Sequence, residues 1–447
     1  MQLQIWVGSN PNMSSSYVID NVKIENEPLA QVSDPNLKVE VFFKGLKFPT
    51  SMEFLGPSDL LVIEKNNGTV QRIINSSLIP GPVLDVNVAN GGERGMLGLA
   101  LSKYINEPPY VFLYFTESQT RDGEDNEGKD PEGNRLYRYE LASNNKLVNA
   151  GMLLDLPATP CCSHNGGKIT IGPDGSVYVV IGDLLVHNTK AQNFKNGTDP
   201  DGTSAIYRIT RDGNAVSNPI FGGNEFMTKY YAYGIRNGFG LDHDPVTGNL
   251  WDTENGPHEG DEINLVEPGF NSGWENVQGL WDPYGEESIR DERLAPPVEG
   301  LVDFNGKGRY STPELTWSDV NQSASPGLTA LKFLDSDKLG KQYENDLFVG
   351  SFHEGSIYHF DLNKKRNELI LNGSLSDKVV DGRIEPNAAT FGSVFGGITD
   401  IKVGPDGFLY ILAVNGGGLN CPEKPGIECI QYNSPILGTI YRIVPNS

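Results

Sequence analysis

Two stretches of this chain are variants of one unit: GPDGSVYVVIGD at 172–183 and GPDGFLYILAVNGGG at 404–418. In each, a Pro-Asp-Gly turn precedes a run of β-branched, aromatic and aliphatic residues, and a polar or glycine-rich exit follows. Proline presets φ and glycine accepts the left-handed conformation that closes such a turn, so the unit predicts a hairpin and its returning strand. Looser copies stand at 56–73 (GPSDLLVIEKNNGTVQRI), 108–117 (PPYVFLYFTE), 246–256 (VTGNLWDTENG) and 345–362 (NDLFVGSFHEGSIYHFDL). Helical periodicity is scarce between them.

A strand unit recurring at intervals of roughly 50 to 100 residues points to a repeat architecture, because one unit cannot bury its own apolar faces. Six units predict an all-β chain folded as a six-bladed β-propeller with long inter-blade insertions; a pair of packed β-sandwiches is the alternative. GTIYRIV at 438–444 reads as a closing strand that pairs with an early one and so removes exposed sheet edges. Residues 36–447 are assigned to the propeller and 1–35 to an N-terminal arm or extra strand. The acidic, glycine-rich segment at 120–134 reads as a surface loop.

The chain carries a formal net charge of −23, a surface that repels phosphate backbones, so nucleic acid is excluded as a partner. No stretch approaches the roughly 20 apolar residues of a membrane helix. The opening residues lack the basic and apolar regions of a secretory leader. Six N-x-S/T sites occur, and Cys421 and Cys429 bracket a short Pro/Gly loop as a plausible disulfide. These features lead to the expectation of a soluble protein, extracellular, at the cell surface or periplasmic, with its signal segment missing from this chain.

A propeller gathers functional groups where strand ends and loops converge on one face. His164 precedes a strand and Asp183 follows the next, so a hairpin through the GPDG turn brings the two to one end. An imidazole oriented by a carboxylate is a general base; the same pair is also an ordinary structural hydrogen bond. Arg236 and Asn237 lie between glycine-flanked segments in YGIRNGFGLD, where the planar guanidinium meets an anion or a salt-bridge partner. The loop TENGPHEGDEIN at 253–264 sets carboxylates and free carbonyls around Gly256 and Pro257, a chemistry that suits Ca²⁺. Cys161 and Cys162, with His164 and His187, present either a soft-metal site or disulfide cysteines.

Taken together, GLKFPTSMEFL, GGERGMLGLAL, HNGGKITIGPDGSVYVVIGD, YAYGIRNGFGLD, ENGPHEGDEINLVEPGFNSGW, LFVGSFHEGSIY and ITDIKVGPDGFLYIL, in that order over residues 37–445, resemble the soluble pyrroloquinoline quinone (PQQ)-dependent glucose/sorbosone dehydrogenases, which include aldose sugar dehydrogenases. The resemblance implies a six-bladed propeller that oxidises a sugar's anomeric carbon to a lactone by hydride transfer to PQQ, with an external electron acceptor. It implies His164 as the base, Asp183 as its supporting carboxylate and Arg236 as the stabiliser of charge near the reacting carbon. Asn237 then contacts the cofactor, and Glu93 falls where the family has a polar residue close to substrate and cofactor. The carbonyls of Gly256 and Pro257 take the positions that hold the catalytic Ca²⁺, while Asp261 and Glu262 order that loop or serve a second calcium.

The chain departs from the family at the groups that pair with the cofactor's carboxylates. The family's lysine after the strand matching LFVGSF is His353 here, and its R-x-R pair is Gly397 and Thr399. Charge-assisted hydrogen bonds contribute roughly 1.5–3 kcal/mol each. Losing three costs about 4–9 kcal/mol, on the order of 10³ to 10⁶ in affinity. Arg94, Lys168, Lys402 and His353 are the groups available to compensate. Two readings follow: a PQQ-dependent dehydrogenase with an altered pocket, or a calcium-binding propeller that binds a glycan or protein partner without quinone chemistry or with another metal.

Overall fold

The computed structural model describes residues 30–102, 109–119, 125–126, 131–159, 163–185, 187–257, 259–281, 298–318, 325–382, 384–414 and 436–446. The four cysteines, and with them the disulfide and soft-metal readings that need them, lie outside the described residues. The strands among the described residues group into six sheets. Their first strands are Pro49–Gly56, Met96–Ser102, Ile169–Ile171, Gly238–His243, Leu328–Phe333 and Gly397–Val403. Each touches the next in this order, and the last touches the first, so the six close a ring around a central axis.

The second strands of the sheets are Asp59–Glu64, Tyr110–Ser118, Val177–Ile181, Leu250–Glu254, Leu347–Ser351 and Leu409–Val414. These are the six units read from the sequence, one per sheet. They are conspicuous there because neighbouring sheets cover both of their faces. Every residue of Val177–Ile181 and of Leu409–Val414 is buried, so the strand is a continuous apolar run rather than an alternation. Six apolar clusters fill the spaces between consecutive sheets. The one joining the sixth sheet to the first sets Tyr410, Leu412 and Ile440 against Met52, Phe54 and Leu60.

The expectation of an all-β propeller holds. Leu437–Pro445 pairs antiparallel with Leu37–Lys47, from Leu37 opposite Pro445 to Lys47 opposite Leu437. A strand from the start of the ring thereby completes the last sheet, which removes two edges and ties the circle shut. Gln31–Val32 adds a further short strand to the fifth sheet by pairing with Gly392 and Ser393. No helix among the described residues is long and apolar enough to cross a membrane.

Both GPDG segments form the same turn. The N–H of Gly175 reaches the carbonyl of Gly172 at 2.9 Å, and that of Gly407 reaches Gly404 at 2.8 Å. Each turn joins a first strand to a second one, so the chain before the first strand and the chain after the second emerge together at the opposite end. That end carries the candidate site.

Candidate active site

The entry of each first strand and the exit of each second strand lie on one face of the ring, and the residues singled out above occupy those positions. Glu93 precedes Met96–Ser102, His164 precedes Ile169–Ile171, Asp183 follows Val177–Ile181, and Arg236 and Asn237 precede Gly238–His243. Asn255, Gly256 and Pro257 follow Leu250–Glu254, His353 follows Leu347–Ser351, and Thr399 lies within Gly397–Val403.

His164 and Asp183 meet as the hairpin requires: Nδ1 lies 2.5 Å from Asp183 Oδ1. The second oxygen of Asp183 accepts the indole N–H of Trp274 at 2.7 Å, and Oδ1 also accepts the N–H of Leu185 at 2.9 Å. Burial opposes ionisation of Asp183. The hydrogen bond and charge of His164, the Leu185 N–H and the charge of Arg236 outweigh it and hold the carboxyl below its ordinary value. An ionised Asp183 can only accept, so neutral His164 carries its proton on Nδ1 and presents a bare Nε2. The His164 backbone is in the left-handed region at φ 61° and donates its N–H to Glu93 Oε2 at 2.6 Å. Gly182 permits this packing, since a Cβ there would lie 2.4 Å from the Arg236 carbonyl and 2.5 Å from that of His164.

Trp274 serves two partners, because the Arg236 guanidinium lies over its ring at 5.3 Å. Arg236 Nη1 donates to the Asn255 carbonyl at 2.7 Å, and its backbone N–H to Glu254 Oε1 at 3.1 Å. Burial pushes the guanidinium's pKa down, against the pull of Asp183, Glu93 and Glu254. Asn237 Nδ2 faces both Glu93 oxygens at 3.4 Å. Three buried atoms around this centre have no hydrogen-bond partner: Arg236 Nε, Asn237 Oδ1 and Asn255 Oδ1. Buried polar groups in native proteins are nearly always paired, so a donor and two acceptors left open together match a polar ligand.

The run at 253–264 is a hairpin end rather than one open loop. Glu254 closes one strand, Glu262 opens the next, and the two are cross-strand partners. Burial raises Glu254 to about 7, against the Arg236 N–H and the Ser272 hydroxyl. Glu262 is turned into the sheet, where it accepts from Gln278 Nε2 at 3.0 Å, Asn264 Nδ2 at 3.0 Å and the Gly279 N–H. Asp261 acts as a loop organiser: Oδ1 accepts the Gly256 N–H at 3.0 Å, and Oδ2 accepts Ser325 Oγ at 2.6 Å and the Gly327 N–H at 2.9 Å. This holds Gly256 and Pro257 at the rim, with Gly256 half-buried and Pro257 exposed. His187 is drawn to Asp201 at 2.5 Å, so it and His164 each face their own aspartate.

A cavity of about 150 Å³ opens on this face, with Glu93, Asn255, His353 and Thr399 on its wall beside Lys65 and Lys168. Phe48, Phe239 and Phe352 supply flat apolar surfaces. The cavity therefore offers aromatic walls, lysine side chains beside the Glu93 carboxylate, and Asn255, whose Oδ1 is open, a set that suits a flat polar ligand such as a quinone. Sequence reasoning passed over Trp274 and Asn255 as site residues, although both stand inside quoted motifs, and it did not single out Lys65.

An all-β propeller with a carboxylate-oriented histidine on its axial face defines the class. Residues 46–420 match the family model for glucose/sorbosone dehydrogenases, and the chain belongs to that family. It is 26% identical over 397 residues to quinoprotein glucose dehydrogenase B of Acinetobacter calcoaceticus, covering 76% of this chain and 81% of that protein. It is 24% identical over 392 residues to aldose sugar dehydrogenase YliI of Escherichia coli, covering 86% and 91%. A solved oxidoreductase (glucose dehydrogenase) of Thermus thermophilus superposes with a TM-score of 0.64 at 26% identity, covering 91% of this chain and all of that one.

Proposed function

We propose that this protein is a PQQ-dependent aldose dehydrogenase that oxidises the anomeric carbon of a sugar to a lactone, built as a six-bladed propeller with one blade per sheet. The observation that carries the reading is the bond from His164 Nδ1 to Asp183 Oδ1, which leaves Nε2 as the base. His164 Nε2 takes the proton of the anomeric hydroxyl. Asp183, locked by Trp274 and Leu185, stabilises the imidazolium that forms. Arg236 places a buried positive charge beside the pair, and its open Nε is the donor available to a ligand oxygen. PQQ, when bound, supplies the two-electron acceptor, and an external acceptor reoxidises it. Asn255, His353 and Thr399 border the cavity where it would sit, Asn237 stands behind Glu93 on that wall, and the carbonyls of Gly256 and Pro257, in the turn held by Asp261, are the oxygen ligands we assign to Ca²⁺. The quinoprotein named among the relatives supports this assignment. We assign its site of action to the extracellular space, the cell surface or the periplasm, on the N-x-S/T sites and cysteine placement in the sequence.

The test is reconstitution of the full chain with Ca²⁺ and PQQ, followed by dye reduction with a panel of aldoses. Sugar-dependent reduction should appear and should fall roughly 10²–10⁴-fold in His164→Ala. Tight sugar or glycan binding without any dye reduction in the reconstituted protein would sink the dehydrogenase reading and leave the binding propeller.

A further inference from the structure

A second cavity, of about 630 Å³, lies on the ring axis beneath the one described above. It extends to the GPDG turn at 404–407, at the end of the ring opposite His164, where Asp335 and Lys338 stand exposed at its rim. The same six strands line both cavities. Thr50, Leu97, Lys168, Phe239, Thr329 and Thr399 face the upper one, each at or beside the start of a different sheet's first strand. Residues two or three places further along those strands face the lower one. The cavities are therefore two lengths of one axial channel, divided at the level between them.

Asp400 stands at that level. It follows Thr399 of the upper wall, precedes Ile401 of the lower wall and is wholly buried. Its carboxylate bonds the ammonium of Lys168, a residue of both walls. Lys168 enters the third sheet and Asp400 lies in the sixth, three places apart on a ring of six, so the pair crosses the axis. Asp400 Oδ2 also accepts the Ser51 hydroxyl at 2.8 Å and the Met52 N–H at 3.0 Å from the first sheet, and Oδ1 accepts the Ile401 N–H at 2.9 Å. Burial opposes the charge of Asp400, but Lys168 and Lys402 outweigh it and hold the carboxyl below its ordinary value. Lys402 itself bonds Glu53 at 2.5 Å. Two of the cations that the sequence offers as compensation are thus committed to carboxylates of the ring. A buried carboxylate with every lone pair engaged in this way is held rigidly.

We propose that the Lys168–Asp400 pair is a bolt across the axial channel, which closes the floor of the His164 cavity and keeps the solvent of the lower chamber from the reacting centre. The inference rests on the reading of the His164 face as the active site and is independent of which cofactor binds there. Excluding water from beneath strengthens the electrostatic contacts of the site and protects reactive species from side reactions. Substrate and product then exchange through the face that carries Gly256 and Pro257.

The test reads access to this level of the channel in the cofactor-free full chain. Ser51, wholly buried and bonded to Asp400, is the place for a probe. Ser51→Cys is treated with a small methanethiosulfonate, and peptide mass spectrometry separates the thiol at position 51 from the four native cysteines. With the pair intact this thiol should stay unlabelled. Lys168→Ala/Asp400→Ala removes the bolt without leaving a lone buried charge, and labelling should quicken roughly a hundredfold or more. Lys168→Met/Asp400→Asn removes the charges but keeps the bulk, and labelling should stay within about tenfold of the intact pair. Hydrogen exchange of the buried strand Val177–Ile181, measured in each protein, identifies a labelling rate that only follows global unfolding. Fast labelling with the pair intact means that the channel is open, and overturns the proposal without any variant of the pair. Slow labelling in Lys168→Ala/Asp400→Ala means that another group seals the channel, and overturns it as well. Equally fast labelling in the two double variants means that charge and not bulk matters, and also overturns it. None of these outcomes touches the dehydrogenase reading, which stands or falls on dye reduction.

Discussion

Trp274 donates its indole N–H to Asp183 Oδ2 at 2.7 Å, across 91 residues of sequence. The same ring underlies the Arg236 guanidinium. One side chain, from the turn after the short strand Phe270–Asn271 of the third sheet, therefore sets the orientation of the carboxylate behind the base and the position of the cation beside it. Trp274→Phe keeps the ring and removes the N–H. A hydrogen bond to a charged group contributes roughly 1.5–3 kcal/mol, so kcat should fall by about tenfold to a hundredfold. KM should change little, because Arg236 keeps its aromatic neighbour. A pH–rate profile checks the cause: with one donor lost, the acid limb should move to higher pH.

The Asp183 carboxyl is held below its ordinary value of 3.8 in the folded protein. A lowered carboxyl contributes stability above its unfolded value and loses it as pH falls through the folded one. Asp183→Asn should therefore be less stable than the wild type at pH 7, and the gap should narrow as pH drops below about 3.8. Urea midpoints at pH 7 and pH 3 measure it. An equal gap at both would assign the loss to geometry and not to charge.

Gly182 lets three chain segments converge. Adding one methyl would bring it within 2.5 Å of the carbonyls of both Arg236 and His164. Overpacking of this kind costs typically 1–3 kcal/mol. A displacement near 1 Å at a reacting group costs on the order of 10²-fold in rate. Gly182→Ala should lower Tm and should lower kcat further than the stability loss accounts for. Activity of the folded fraction, assayed well below Tm, separates the two effects.

Ring closure makes its own prediction. Ile440 sits in the strand paired with Leu37–Lys47 and packs between the sixth and first sheets, wholly buried. Ile440→Ala should cost about 2–5 kcal/mol, as large-to-small changes in a close-packed core do. Removing residues 437–447 should be far worse, since it strips the partner from both Leu37–Lys47 and Leu409–Val414 and leaves their edges open to other chains. Size-exclusion profiles and denaturant midpoints distinguish the two outcomes.

The second strands were legible because each is enclosed by two neighbouring sheets and so reads as an unbroken apolar run, as in Val177–Ile181. The first strands were less so, and the one after His164 was read only through the GPDG turn that follows it. Ile169–Ile171 is three residues long and is defined by its neighbours around the ring more than by its own pattern. The pairing of His164 with Asp183 could be read because a hairpin spans them. That Lys65 lines the cavity could not be read, because the wall it shares with Lys168 joins sheets two places apart on the ring. The carboxylates of 253–264 illustrate the limit within a motif. Residue types alone do not show that Glu262 faces Gln278 and Asn264 while Asp261 ties Gly256 to Gly327.

That tie leads to a test of the metal. Asp261 accepts protein donors on both oxygens, which holds the Gly256–Pro257 turn in place. If those carbonyls bind Ca²⁺, the ion stabilises the folded state by RT ln(1 + [L]/Kd), about 2.7 kcal/mol at a hundredfold excess over Kd. Chelation should lower the wild-type Tm, and added Ca²⁺ should restore it. In Asp261→Ala the loop loses its organiser. The N–H groups of Gly256 and Gly327 lose their acceptor, the baseline Tm falls, and the Ca²⁺ concentration needed for half-maximal stabilisation should rise at least tenfold. Asp261→Asn keeps acceptor geometry at one oxygen and should lie between the two. Were Asp261→Ala to respond to Ca²⁺ at the same concentration as the wild type, the ion would have to bind away from the Gly256–Pro257 turn, and the buried Glu262 would become the ligand to examine.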